Sequence, residues 1–291
     1  MGIFTGVCAA AITPHREDGH EADVGAMLDL IDFLCQAGVD SICLLGSTGE
    51  FLNIPFADRI RIVHLGVKRS RVPVMAGISH STLDGAVELA SEAVGSGAAG
   101  LLLMPPYFFR YDQDDILEFY KRFREQVPKR VPVVLYNIPQ FGNGIAIETA
   151  AALLRTGLYA GIKDSSGDAS YFEQLLALRR EHEFTLLCGN DKLARWSRAS
   201  GADGVVSGCA CAVPELVVAL HREPSDQLEA YLNEFITHIE CFPTPVGVKV
   251  AASLRKIKTG PFAVPLDPAK TAMLEEFKTW FAAFLKIIPK R

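Results

Sequence analysis

Eight short apolar runs, each separated from the next by a stretch of helical length, constrain this chain more than any other feature. They are "VCAAAIT" (7–13), "SICLLG" (41–46), "VPVMAG" (72–77), "GLLLMP" (100–105), "VPVVLYN" (131–137), "YAGIK" (159–163), "FTLLCG" (184–189) and "GVVSG" (204–208). The runs are apolar almost throughout instead of alternating, the pattern of parallel strands buried on both faces. The segments between them, such as "DVGAMLDLIDFLCQAG", "TLDGAVELASEAVGSG" and "DILEFYKRFREQV", are amphipathic with helical period. Eight successive βα units predict an α/β fold of the (β/α)8 or TIM-barrel type. The competing arrangement is an open doubly wound sheet, but no strand is followed by a G-x-G-x-x-G turn. No Gly/Ser linker divides the chain, and 291 residues suit one barrel.

Past residue 213 the strand signal stops. "PELVVALHR", "DQLEAYLNEFITHIECF", "PVGVKVAASLRKI" and "DPAKTAMLEEFKTWFAAFLKII" all read as helices, more than one barrel unit needs. The expected organisation is therefore a barrel over 1–223 and a C-terminal helical extension over 224–291, its members separated by Pro224, Pro243 and Pro245.

Composition narrows the function class. Charged residues make up 22% of the chain and leave a net charge of −5, and basic residues nowhere cluster beyond the "LRKIKTG" scale, so no nucleic-acid surface is expected. No apolar window is long enough for a membrane span, and the N-terminal stretch reads as a first strand, not an export leader. Seven scattered cysteines, with Cys8, Cys43 and Cys188 inside apolar runs, fit reduced core thiols and a cytoplasmic location. Cys209 and Cys211 have no second pair to complete a zinc set, and the histidines show no H-E-x-x-H spacing, so no metal site is expected.

A barrel of this kind places its chemistry at the carboxyl ends of the strands. There the sequence offers "GSTGE" (46–50) after strand two, Tyr136 and Asn137 on strand five, Lys163 and Asp164 on strand six, and Gly189, Asn190 and Asp191 on strand seven. Ser47 and Thr48, between glycines, are donors suited to a carboxylate or a phosphate; the same segment also reads as a helix start with Glu50 in its first turn. Lys163 has three readings: a solvated charge, an ion pair with Asp164, or a buried amine of lowered pKa able to attack a carbonyl. Tyr136, one strand earlier at the same height, could carry protons for that amine, or simply pack on the rim. Together the hydroxyl-rich cradle, the tyrosine and the lysine describe a site for a 2-oxo acid.

"GSTGE", "PPYFF", "LYNIP" and "GIKDSSGD", in this order along the chain, resemble the family of dihydrodipicolinate synthase and N-acetylneuraminate lyase, the class I pyruvate-dependent aldolases. The resemblance extends to the "PTPVGVKVA" segment. It implies Lys163 as the Schiff-base lysine, Tyr136 as the proton carrier, Ser47 and Thr48 as the carboxylate site, and Val206 as pocket lining. It further implies a lyase that needs no cofactor, takes pyruvate or a related 2-oxo acid, and assembles as a homotetramer built from two dimers. Residues of "PPYFF" would meet the partner subunit.

Departures from the family patterns bear on specificity. Synthases of dihydrodipicolinate carry an arginine in the turn after "LYNVP", where this chain has Gln140, Phe141, Gly142 and Asn143, and a relay tyrosine where this chain has Phe108 after Tyr107. Against the N-acetylneuraminate lyases, Asp191 matches, whereas Lys192 replaces an acid and Gly208 a serine. Phe108, Phe109 and Phe141 would make an apolar entrance unless Arg110 turns inward. The leading expectation is a Schiff-base aldolase that makes or cleaves a carbon–carbon bond. The alternatives are a lysine-dependent dehydratase of a deoxy-sugar acid, a non-catalytic 2-oxo acid binding barrel, and a phosphate-handling barrel enzyme using "GSTGE".

Overall fold

The computed structural model describes residues 4–18 and 21–290. All eight apolar runs form strands: β1 (Gly6–Ala10), β2 (Ser41–Leu44), β3 (Val74–Gly77), β4 (Gly100–Leu103), β5 (Val133–Asn137), β6 (Gly161–Asp164), β7 (Thr185–Cys188) and β8 (Gly204–Ser207). Each pairs in parallel with its sequence neighbours, and β8 returns to β1, closing the barrel in sequential order. Closure leaves no open edge, and nearly every strand residue is buried, which explains why the runs lack an alternating pattern.

The connecting helices are α1 (Val24–Ala37), α2 (Phe56–Arg69), α3 (Leu83–Gly95), α4 (Gln113–Gln126), α5 (Ile147–Leu154), α6 (Ala169–Glu181), α7 (Ala194–Ala199) and α8 (Pro214–Arg222). Several begin on a side-chain cap of the expected kind. Asp23 accepts from the Ala26 amide at 3.0 Å, and Asp112 from that of Asp115 at 2.9 Å. Asp168, the last residue of "GIKDSSGD", accepts from the amides of Ser170 and Tyr171 and so starts α6 directly after the strand that carries Lys163.

The strand ends differ from expectation by a few residues. β1 stops at Ala10, not Thr13, because Thr13 leaves the ladder to donate its hydroxyl to the Gly49 carbonyl at 2.6 Å. The expected helix start at Glu50 does not form. Glu50 sits in the left-handed region at φ 51, a single 3-10 turn covers Phe51–Asn53, and α2 waits until Phe56. Pro55 is the reason: the residue before a proline is pushed out of helical geometry, and Ile54 is extended at φ −99 and ψ 125.

Three further helices follow α8: α9 (Asp226–Ile239), α10 (Val246–Leu254) and α11 (Pro268–Phe284). An aromatic cluster joins α9 to α11, in which Phe235 lies 5.5 Å from Phe281 and 6.2 Å from Phe284, ring centre to ring centre. Phe281 is fully buried. Its truncation to alanine should remove both its buried area and the packing of its neighbours. Phe281→Ala is expected to lower the unfolding free energy by roughly 3–5 kcal/mol. A urea titration with an unshifted midpoint would contradict this packing.

Candidate active site

The barrel register sets Lys163 beside Tyr136, because β5 and β6 pair these two residues directly. Side chains alternate along a strand, so Lys163 points into the barrel and Asp164 points away from it. Asp164 is occupied elsewhere: its carboxylate accepts from Asn137 Nδ2 at 2.7 Å and from the Ser166 hydroxyl at 2.8 Å. Of the three readings of the lysine, the ion pair with Asp164 is therefore absent among the described residues, and the solvated charge is excluded by an exposure of 3%. What the structure holds is a dry amine, its Nζ 4.1 Å from the centre of the Tyr136 ring.

Burial is the largest influence on the Lys163 ammonium and drives its pKa down; Tyr136, then Cys43 and Cys8, act in the opposite direction, and the net shift is upward. The depressed amine expected from burial alone is thus not the outcome, and the cause is the phenol set against Nζ. Burial pushes the thiols of Cys8 and Cys43 up. An ammonium must lose a proton before its nitrogen can attack a carbonyl, and the Tyr136 ring lies against Nζ. Tyr136 is itself held by Ser47, whose hydroxyl lies 2.9 Å from the phenol oxygen.

These side chains line one cavity of about 260 Å³ at the carboxyl ends of the strands. Ser47, Thr48, Tyr136, Gln140, Lys163, Asp191, Lys192, Val206 and Gly208 all face it. Gln140 donates to the Ser166 carbonyl at 2.5 Å, and Lys192 is paired with Glu240 at 2.6 Å across the rim. Tyr107 and Phe108 stay outside the cavity. Tyr107 packs edge-on against Phe51, and Phe108, at φ 80, is 86% exposed. Arg110 donates to the Gly142 carbonyl at 3.1 Å, at the turn after strand five, and does not line the cavity.

Two glycines make room for the chemistry. A side chain at Gly189 would meet Lys163 Cε at 2.6 Å and Ser165 Oγ at 2.0 Å, so the lysine needs this residue bare. At Gly208 a Cβ would come within 3.1 Å of the Thr48 hydroxyl, so a side chain there would crowd the cradle.

Sequence reasoning missed Ser165 and the wall supplied by the extension, where Ile236, Ile239, Glu240, Thr244, Pro245, Gly247 and Val248 face the cavity. The signal was present in "PTPVGVKVA", but no periodicity links it to the barrel strands earlier in the chain. Ser165 Oγ and Asp191 Oδ1 are buried without a hydrogen-bond partner, and both residues line the cavity. The other Asp191 oxygen accepts from the Cys209 amide at 3.3 Å. Among the described residues no group of three or more His, Cys, Asp or Glu could hold a metal ion, and no helix is long and apolar enough to cross a membrane.

Comparison with known proteins agrees with this geometry. A sequence model of the "Dihydrodipicolinate synthetase family" matches residues 3–283. The 4-hydroxy-tetrahydrodipicolinate synthase of Methanosphaerula palustris is 30% identical, over 94% of this chain and 98% of that protein. Among solved structures, dihydrodipicolinate synthase from Aquifex aeolicus superimposes with a TM-score of 0.89 at 25% identity, over 99% of this chain and 100% of that one. The 2-keto 3-deoxygluconate aldolase from Picrophilus torridus does so with a TM-score of 0.83 at 27% identity, over 91% of this chain and 99% of that one.

Burial raises the pKa of Asp191 above the ordinary carboxylate value, so the folded protein binds a proton there that the unfolded chain has already lost. Stability associated with this group is complete below the unfolded pKa and is lost as pH rises through the folded one. Asp191→Asn should therefore melt a few degrees higher at pH 7 and show a flatter melting curve against pH above the ordinary carboxylate range. An unchanged pH dependence in differential scanning calorimetry would refute the assignment.

Proposed function

This chain belongs to the dihydrodipicolinate synthetase family, and from that premise we propose that it is a Schiff-base lyase in which Lys163 attacks the ketone of pyruvate or a larger 2-oxo acid. The observation that carries the proposal is a buried primary amine against a tyrosine that is hydrogen-bonded to Ser47, inside one cavity. In the proposed cycle Ser47 and Thr48 hold the substrate carboxylate and Val206 packs against the bound acid. The amine passes a proton to Tyr136 and its lone pair adds to C2. Tyr136 returns this proton, and relays the second one that the bound nitrogen sheds, to the carbinolamine oxygen, which leaves as water and yields the iminium. In cleavage Tyr136 takes the proton from the C4 hydroxyl, the C3–C4 electrons flow into the iminium, and an aldehyde departs. The enamine is then protonated and hydrolysed to release pyruvate. No step draws on a cofactor.

The curated relative is named a 4-hydroxy-tetrahydrodipicolinate synthase, and the Picrophilus torridus protein a 2-keto 3-deoxygluconate aldolase. For this chain we favour the second kind of substrate, a 2-oxo acid bearing hydroxyl groups. The turn after strand five carries no arginine, whereas Asp191 Oδ1 and Ser165 Oγ lack partners in residues that line the cavity, which supports a ligand that brings hydroxyl groups. The same lysine and tyrosine also serve a dehydratase of such an acid, and detection of pyruvate among the products separates the two. Seven unpaired cysteines suit a reducing, cytoplasmic setting. Leu52, Phe108, Phe109 and Phe141 are each more than half exposed, which supports assembly of copies through this face into a homotetramer.

Borohydride reduction with pyruvate, followed by mass spectrometry of the peptide containing residue 163, should show a covalent adduct that Lys163→Ala abolishes. No adduct with pyruvate or with a panel of 2-oxo sugar acids would end the proposal. Tyr136→Phe should lower kcat by about 10²–10⁴-fold with little change in pyruvate binding. Asp191→Ala should weaken hydroxylated substrates while leaving pyruvate trapping intact; equal losses for both would remove Asp191 from the specificity set. Sedimentation velocity should give a tetramer, and a monomer at micromolar concentration would overturn the assembly.

A further inference from the structure

Lys249 on α10 is, with Lys163, one of the two buried lysines among the described residues, and its Nζ lies 2.5 Å from Glu50 Oε2. The Glu50 side chain is only 8% exposed, so both ends of the pair are dry. His15, beside them, is buried with both ring nitrogens unpartnered, and burial followed by the nearby Lys249 charge lowers its pKa. A neutral imidazole therefore adds no charge to the pair. Two ions in such surroundings give little net stability over apolar side chains of the same size, although breaking the pair leaves an uncompensated charge and is costly. What the pair does supply is position.

Each partner is tied to the catalytic cavity. The Glu50 amide donates to the Ser47 carbonyl at 3.0 Å, closing the "GSTGE" turn, and Ser47 in turn holds the Tyr136 phenol. Glu50 keeps this turn closed in a left-handed conformation that a residue with a Cβ rarely adopts, so the surrounding contacts must impose it. On the other side, the Lys249 amide donates to the Pro245 carbonyl at 2.9 Å, and Pro245, Gly247 and Val248 line the same cavity. One ion pair thus joins the hydroxyl cradle of the barrel to the wall supplied by the extension, 199 positions apart in sequence.

We infer that Glu50 and Lys249 form a positioning clamp that fixes Ser47 and Thr48 for the substrate carboxylate and sets the helical extension against them. The inference rests on the reading of this cavity as a 2-oxo acid site. Neither residue touches the substrate; they act through the backbone of the cradle.

The test measures borohydride trapping of pyruvate against pyruvate concentration for the full-length wild type, Glu50→Gln, and the double variant Glu50→Gln with Lys249→Met, which leaves no unpaired charge. Clamp action predicts that half-saturation rises by about 10–100-fold in both variants, whereas the plateau of trapping stays within about threefold of wild type, a split that a loss of folded protein would not produce. The double variant should recover the melting temperature lost by Glu50→Gln without recovering the half-saturation. Variants that half-saturate like the wild type, or a double variant that recovers stability and half-saturation together, overturn the clamp while leaving Lys163 in place. A wild type that traps nothing overturns the site reading itself and the clamp with it.

Discussion

A primary amine enclosed by a parallel barrel has no comfortable ionisation state. Charged, it loses solvation that the protein must replace; neutral, it must have somewhere to send a proton. The neighbouring strand supplies the answer through register, since the pairing of Tyr136 with Lys163 sets a polarisable ring and a phenol against the ammonium. The rest of the site follows from keeping that contact intact. Gly189 stays bare so that the lysine can extend, Asp164 is turned outward and satisfied by Asn137 and Ser166, and Ser47 restrains the phenol. The net upward shift on Lys163 favours its ammonium form.

The second organising element is the helical extension. It is a separate run of helices in sequence, held by its own aromatic cluster, yet its α9 and α10 supply one wall of the cavity that Lys163 lines. That arrangement explains the placement of charged residues which would otherwise lack a purpose. Lys192 reaches Glu240 at the rim, and Lys249 reaches Glu50 below it. The exposed rim pair contributes little to stability, whereas the buried pair governs the spacing of the two walls.

On the proposed reading, specificity lies in what the wall leaves unsatisfied. Ser165 Oγ and Asp191 Oδ1 are buried without hydrogen-bond partners in residues that line the cavity, while Gln140 is already engaged with the Ser166 carbonyl. On the proposed reading, a ligand that brings hydroxyl groups completes the first two without disturbing the third. Gly208 keeps the opposite side open because Thr48 stands within contact of any side chain placed there.

The sequence by itself determined the eight strands, their parallel burial and the strand ends that carry Ser47, Tyr136, Lys163 and Asp191. These are local signals, readable because each strand's composition reports burial on both faces and because strand ends are where a barrel exposes polar groups. Tertiary structure decided three things that no local pattern encodes. The lysine pKa depended on a neighbour 27 positions away in sequence, and its direction followed from the phenol and not from burial alone. Glu50, read as a helix start, became a buried ion-pair partner because Pro55 delayed the helix and Lys249 waited 199 positions downstream. The wall from α9 and α10 closed the cavity for the same reason: packing between distant segments is set by shape and charge in space, which sequence spacing does not record.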